Sequence, residues 1–184
     1  AHIVIAEVAK KFDLARVSID GVMSLELRKP IMKIGPVKVP LPTACFLQST
    51  AIGEKTIAQL VLAELTKSKN VADLFCGIGT FALRLASTTS VYAADTNETA
   101  VAALNYAVRF TKNLKPVETA VRDLFHNPMY HGDLNRFDSI IINPARAGAE
   151  AQVEEISISE VPLVIYVSCD PTSLARDAEI LVDG

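Results

Sequence analysis

The sequence predicts an α/β protein: a doubly wound parallel sheet with helices on both faces. Three observations carry this. From Val71 onward, short apolar segments alternate with amphipathic segments of helical period. The run "III" at residues 140–142 is continuously apolar, as a strand covered on both faces should be. A glycine turn, "CGIG" at residues 76–79, stands between the first such strand and the helix after it.

The elements follow in order. "TIAQLVLAEL" places Ile57, Leu60, Val61 and Leu65 on one helical face and leads into the sheet. "NVADLFC" is the first strand and "TFALRLA" the helix behind its glycine turn. "SVYAAD" is the second strand, and "ETAVAALNYAVRF" a helix with Val101, Leu104 and Val108 on one face. "VETAVRD" and "FDSIIINP" are the third and fourth strands, and "AEAQVEEISIS" is helical. "VPLVIYVSC" is the fifth strand. In "DPTSLARDAEIL" Asp170 is the expected N-cap and Pro171 the first helical residue. Residues 1–45 read differently: "RVSIDGVMSLELRKPIMKIGPVKVPLP" alternates like strands broken by Gly and Pro. We therefore divide the chain into a β-rich N-terminal segment, residues 1–45, part of an accessory domain, and a main domain, residues 46–184.

Composition narrows the functional classes. With 184 residues, half of them hydrophobic, the chain can bury a sizeable core. A net charge of −3 argues against a broadly basic domain that coats nucleic acid, though not against a local RNA grip. No apolar run is long enough to span a bilayer, and "HIVIAEVAKK" is too short for a signal peptide. Cys45, Cys76 and Cys169 form no metal or disulfide pattern. A reduced, cytoplasmic protein without a metal is the expectation. His2, His126 and His131 are scattered and receive no role.

Five carboxyl-terminal strand ends carry the candidate chemistry. In "DLFCGIGTFA", Gly77 and Gly79 let the backbone turn sharply and approach a ligand, and the helix behind offers free N–H groups. Asp95 ends the second strand, where a carboxylate can accept both ribose hydroxyls. Gly77-x-Gly79-x-x-Ala82 also fits a dinucleotide fingerprint, so NAD competes. Asp73, before the glycines, and Asp123, closing the third strand as an acceptor for an adenine amino group, favour S-adenosylmethionine. In "IINPARAGAE", Asn143 and Pro144 put an amide and a rigid turn on the same edge, and Arg146 can fork a phosphate or carboxylate. Cys169 ends the fifth strand. A thiol of ordinary pKa, about 8.5, needs activation, and a helix N-terminus with Arg146 and Arg176 nearby would supply positive potential. Cys76 and Cys45 read as structural.

"DLFCGIGTF", "NPARAGA" and "YVSCDPTSLARD", in this order and spacing, resemble the RNA uracil-C5 methyltransferases, which make 5-methyluridine in ribosomal or transfer RNA. The resemblance runs from about Cys45 to Gly184. It implies a Rossmann-like class I methyltransferase sheet, S-adenosylmethionine as cofactor, RNA as substrate, and Cys169 as the nucleophile that adds to uracil C6. It also implies that Gln48 (from "CFLQST"), Phe75, Thr80, Asp95, Asp123 and Asn143 line the cofactor or its junction with uracil, and that the target uridine is unstacked.

The departures from the family pattern are specific. Asn143 stands where the family has Asp, Thr50 where it has Asn, and Asp170 where Asn commonly follows the cysteine. The family's proton-abstracting Glu lies beyond the cysteine helix, so the expectation is a sheet truncated at the C-terminus. The family's N-terminal RNA-binding β-barrel and the four-cysteine cluster of some members are not in this sequence. Two other readings stay open: a nucleotide- or RNA-binding module of the same fold without activity, and a methyltransferase acting on another base.

Overall fold

A computed structural model describes residues 2–43 and 45–183; the side chain of His2 lies outside what is described. The chain begins with helix α1 (His2–Lys11) and two antiparallel hairpins. These are β1 (Arg16–Ile19) with β2 (Val22–Glu26), and β3 (Ile31–Ile34) with β4 (Val37–Pro40). The hairpins answer to the strand-like alternation of residues 16–42. The helix does not: its β-branched start, "HIVI", hides the helix formers Ala6, Glu7, Ala9, Lys10 and Lys11 behind it.

Helix α2 (Ala51–Glu64) leads into β5 (Asn70–Leu74). Its inward face is Glu54, Ala58 and Val61, followed by Leu65 beyond its end. Leu60, expected on that face, is 68% exposed instead. The i, i+4, i+7, i+11 row selects residues 54, 58, 61 and 65 and leaves residue 60 about 130° round the helix from it.

The remaining elements are α3 (Ala82–Leu85), β6 (Ser90–Asp95), α4 (Glu98–Arg109), β7 (Val117–Val121), α5 (His131–Leu134), β8 (Ser139–Ile142), α6 (Glu150–Ser157), β9 (Val164–Tyr166) and α7 (Pro171–Asp183). The five strands from β5 onward form one parallel sheet in the order β7-β6-β5-β8-β9. The chain goes out from β5 on one side, then crosses back to β8 on the other. The point of reversal lies between β5 and β8, where ligands of open α/β sheets bind.

Both faces of the three central strands β6, β5 and β8 are buried, which is why they lack polar alternation, while the edge strands β7 and β9 are only partly covered. Val71, Val91, Ala93 and Ile141 pack on one side with Val61, Leu83 and Leu104. Ala72, Leu74, Ile140 and Ile142 pack on the other with Leu134, Val153 and Ile156. Ile34, Val37 and Val39 of the second hairpin belong to the first of these clusters, so that hairpin seats on the sheet's helical layer. No helix among the described residues is long and apolar enough to cross a membrane.

Candidate active site

The glycine turn is built by backbone geometry. Phe75, Gly77 and Gly79 all have positive φ, +62°, +55° and +89°. The Gly79 N–H donates to the Cys76 carbonyl at 2.9 Å, and the Cys76 N–H to Ala94 at 3.1 Å. The two glycines serve different ends. A Cβ on Gly79 would lie 2.6 Å from Leu104 Cδ1 and 3.1 Å from Leu83 Cγ, so packing requires its absence. A Cβ on Gly77 would meet nothing within 4 Å: that side of the turn is open, as a ligand's approach requires.

Asp95, at the end of β6, braces the turn. Its Oδ2 accepts from the Gly77 N–H and its Oδ1 from the Asn97 N–H, both at 2.8 Å. A carboxylate has about four acceptor positions, so capacity remains for hydroxyl donors. Asn97 in turn caps α4, its Oδ1 accepting from the Ala100 N–H at 3.1 Å.

Asp73 is wholly buried in β5. Its Oδ2 accepts from the Ala82 N–H at 2.8 Å. Its Oδ1 has no hydrogen-bond partner among the described residues. Burial raises its pKa from 3.8 to about 7; the Ala82 N–H opposes this and the Asp95 charge adds to it. The sequence leads one to expect free amides at the start of the helix behind the glycines. The structure corrects this: α3 is a single turn, and its first amide is taken by Asp73.

Thr80 lies on the same turn. Its carbonyl accepts from Arg84 at 2.7 Å. Arg84 also forms a buried ion pair with Glu54 of α2 at 2.7 Å, without hydrogen-bond angles at Oε1. This pair ties α2 to the glycine turn. Thr50 begins α2 as its N-cap, its Oγ1 accepting from the Gly53 N–H at 3.0 Å. Thr, like Asn, is a capping residue, so the departure at Thr50 keeps that local role. Gln48, two residues earlier, is half-buried.

Asp123 lies two residues past the end of β7, in a turn and not in the strand. Its Oδ1 accepts from the Phe125 and His126 N–H groups at 3.0 and 3.3 Å, and its Oδ2 contacts His126 Nδ1 at 2.9 Å. The His126 side chain, then these amides, hold the Asp123 carboxyl below its ordinary range. His126, given no role from the sequence, is thus a partner of a candidate site acid. Phe125 packs on Phe75 with ring centroids 5.1 Å apart, which joins the loops after β5 and β7.

Asn143 directly follows β8, its N–H donating to Leu74 at 3.2 Å. Its side-chain amide has no partner among the described residues. In the neighbouring strand Tyr166 lies opposite Ile142, and the Val167 N–H donates to Ile142 at 2.8 Å. Asn143 and Cys169 therefore leave the same sheet edge from adjacent strands. Cys169 is exposed, three residues past the end of β9. Asp170 caps α7, accepting from the Thr172 and Ser173 N–H groups at 3.0 and 3.1 Å. The Ser173 N–H first, with Thr172 and the Arg146 charge in support, lowers its pKa.

Arg176 does not serve the cysteine as the sequence suggests. It donates to Asp177 and to the Ala147 carbonyl, and pairs with Glu150 at 3.3 Å. Asp177, wholly buried, also accepts from the Ala149 N–H at 2.7 Å and the Tyr166 hydroxyl. Burial, then the bond to Asp177, raises the Tyr166 pKa. Gly148, at φ +80°, permits this clamp: a Cβ there would lie 2.6 Å from Asp177 Oδ2. Asp177, Tyr166 and Gly148 escape sequence reasoning. Their one signal is that they fall inside "NPARAGA" and "YVSCDPTSLARD", the stretches that carry the resemblance.

The turn fits a nucleoside ligand with a cationic group. An orphaned buried carboxylate oxygen, an open glycine flank and an unpartnered amide lie at the carboxyl ends of adjacent strands. No group of residues among those described is arranged to hold a metal ion.

The family model for tRNA (uracil-5-)-methyltransferase matches residues 10–183. A protein of Brucella melitensis named as an uncharacterized RNA methyltransferase is 48% identical over 95% of this chain and 42% of its own length. The 23S rRNA (uracil(1939)-C(5))-methyltransferase RlmD of Colwellia psychrerythraea is 34% identical over 98% of this chain and 39% of its own. Among solved structures, the Pyrococcus abyssi tRNA (uracil-54, C5)-methyltransferase in complex with S-adenosyl-L-homocysteine superposes with a TM-score of 0.74. It covers 90% of this chain and 41% of that one at 24% identity, a likeness of fold. The chain thus spans about two fifths of the relatives it matches. With residues 10–183 matched by the family model and a relative 48% identical over 95% of this chain, the chain belongs to the tRNA (uracil-5-)-methyltransferase family.

Proposed function

We propose that this chain carries the methyl-transfer centre of an enzyme that moves a methyl group from S-adenosylmethionine to C5 of a uridine in ribosomal or transfer RNA. One observation carries the reading: an exposed Cys169 leaves the same sheet edge as Asn143 and the glycine turn. The domain division at residue 45 belongs to the same proposal.

Gln48, Asp73, Phe75, Gly77, Gly79, Thr80, Asp95, Asp123 and Asn143 would hold the cofactor. Asp95 offers its remaining lone pairs to ribose hydroxyls. Asp123 offers an acceptor to the adenine amino group, and the Phe75–Phe125 pair an apolar wall. The Asp73 orphan oxygen answers to positive charge. Bound there, S-adenosylmethionine supplies an electrophilic methyl group.

The protein's own chemistry begins at Cys169. Its thiolate Sγ adds to uracil C6, forming an S–C6 bond and driving the C5=C6 pair toward O4. C5 becomes nucleophilic and would form the new C–C bond as the sulfonium S–CH3 bond breaks, the O4 pair returning to C4=O4 and neutral S-adenosylhomocysteine leaving. A general base then removes the C5 proton; that electron pair re-forms C5=C6 and expels the thiolate. The Asp177 clamp keeps the loop of Asn143 to Gly148 in place, and Arg146 stands exposed to meet an anionic group of the bound nucleotide.

The test uses RNA containing 5-fluorouridine, whose C5 fluorine cannot leave as a proton does. With S-adenosylmethionine, the wild-type protein should form a covalent RNA adduct, and Cys169→Ala should form none. An adduct that survives the substitution would remove Cys169 from its role.

A further inference from the structure

We propose that the outer face of the β3–β4 hairpin grips the backbone of the substrate RNA through Lys33 and Lys38. The inference rests on the reading of RNA as substrate. Charge is divided unevenly along the chain: residues 1–40 hold seven Lys or Arg against four Asp or Glu, and residues 41–184 hold eleven against seventeen. Positive charge is therefore concentrated in the hairpin region, while the main sheet is acidic.

Within that region Lys33 and Lys38 stand directly opposite each other across the ladder, both exposed. Like charges so placed destabilise a hairpin, and neither lysine has an ion pair or hydrogen bond among the described residues. Their orientation is set from behind. Ile34, Val37 and Val39 are wholly buried in the core and Met32 packs against it, so the alternate residues must face outward. Ile31, 61% exposed, shares that outer face.

The hairpin is also in the right place. Its tip, Gly35, lies against Arg84 of α3; a Cβ there would meet Arg84 Cγ at 3.3 Å. Arg84 in turn bonds the Thr80 carbonyl of the glycine turn. Two unpaired ammonium groups thus flank the layer that carries the cofactor turn. An RNA strand reaching the acidic sheet edge needs such a local positive track, because the net charge repels it.

The experiment measures binding of a fluorescein-labelled, uridine-containing stem-loop RNA by anisotropy across a KCl series. Losing two phosphate contacts should lower the salt slope by about 1.4 and weaken binding about tenfold at physiological salt in Lys33→Ala/Lys38→Ala. Lys33→Arg/Lys38→Arg should bind as the wild type does. Lys38→Glu replaces repulsion by attraction, so it should melt no lower than the wild type while losing RNA affinity. Adduct formation with 5-fluorouridine RNA at saturation should be unchanged in the double alanine variant. An unchanged slope and affinity overturn the inference. So does a drop in thermal stability with RNA affinity intact, which would mean that an acidic protein segment covers the face. Wild-type RNA binding that shows the salt effect without any Cys169 adduct would refute the proposed function and leave this surface standing.

Discussion

Asp73→Asn tests whether a costly buried carboxylate has been kept for the cofactor. Folded, Asp73 holds its proton up to about pH 7; unfolded, only to about 3.8. Between those values the native state binds more protons than the unfolded state, so stability falls as pH rises through the window. The interval converts, at about 1.4 kcal/mol per pH unit, to a penalty of about 4 kcal/mol above it. Asn keeps an acceptor for the Ala82 N–H and removes the ionisation. It places an amide N–H₂ where Oδ1 lacks a partner, at a cost of about 1–3 kcal/mol. Near pH 8 the variant should therefore be more stable than the wild type by about 1–3 kcal/mol. Between about pH 5 and about pH 8 the difference between the two should shift by about 2–3 kcal/mol toward the variant. Urea denaturation across that range measures it. The gain should come with weaker S-adenosylmethionine binding. Calorimetry near pH 7 in two buffers of different ionisation enthalpy should show proton release on binding to the wild type alone. A difference between the two proteins that stays constant with pH would refute the reasoning.

The glycine turn separates packing from ligand approach. Gly79→Ala places a Cβ against Leu104 at a positive φ and should cost about 2–4 kcal/mol by denaturation. Gly77→Ala meets open space and should cost only about 1 kcal/mol of stability, yet weaken cofactor binding in titration calorimetry. Glu54→Ala leaves the partly buried Arg84 guanidinium with the Thr80 carbonyl but without its carboxylate; a loss of about 1–3 kcal/mol in thermal or urea unfolding is expected. Asp177→Ala releases the Ala149 amide, the Tyr166 hydroxyl and Arg176 together. It should cost about 3–5 kcal/mol and abolish the 5-fluorouridine adduct, whereas Tyr166→Phe should cost only about 1–2 kcal/mol.

By itself the sequence determined the five strands of the parallel sheet and the helices α2, α3, α4, α6 and α7, but neither α1 nor α5. Apolar period and glycine punctuation are local properties, and a parallel sheet with both faces covered is the packing that buries such strands. The places of Gly77 in a turn, Asp95 at a strand end and Cys169 past one were legible because turn chemistry and strand ends are written in neighbouring residues. What tertiary structure decided was which partner each polar group takes. Leu60 and Val61 read alike until the core picks one of them. Arg176 reads as charge offered to Cys169 until Asp177, Glu150 and the Ala147 carbonyl claim it. His126 has no meaning until the turn after β7 brings it onto Asp123. Even the burial that lifts Asp73 depends on helices many residues away. Hydrogen bonds and desolvation act over a few ångströms in space, whatever the distance along the chain, so only the folded arrangement could assign them.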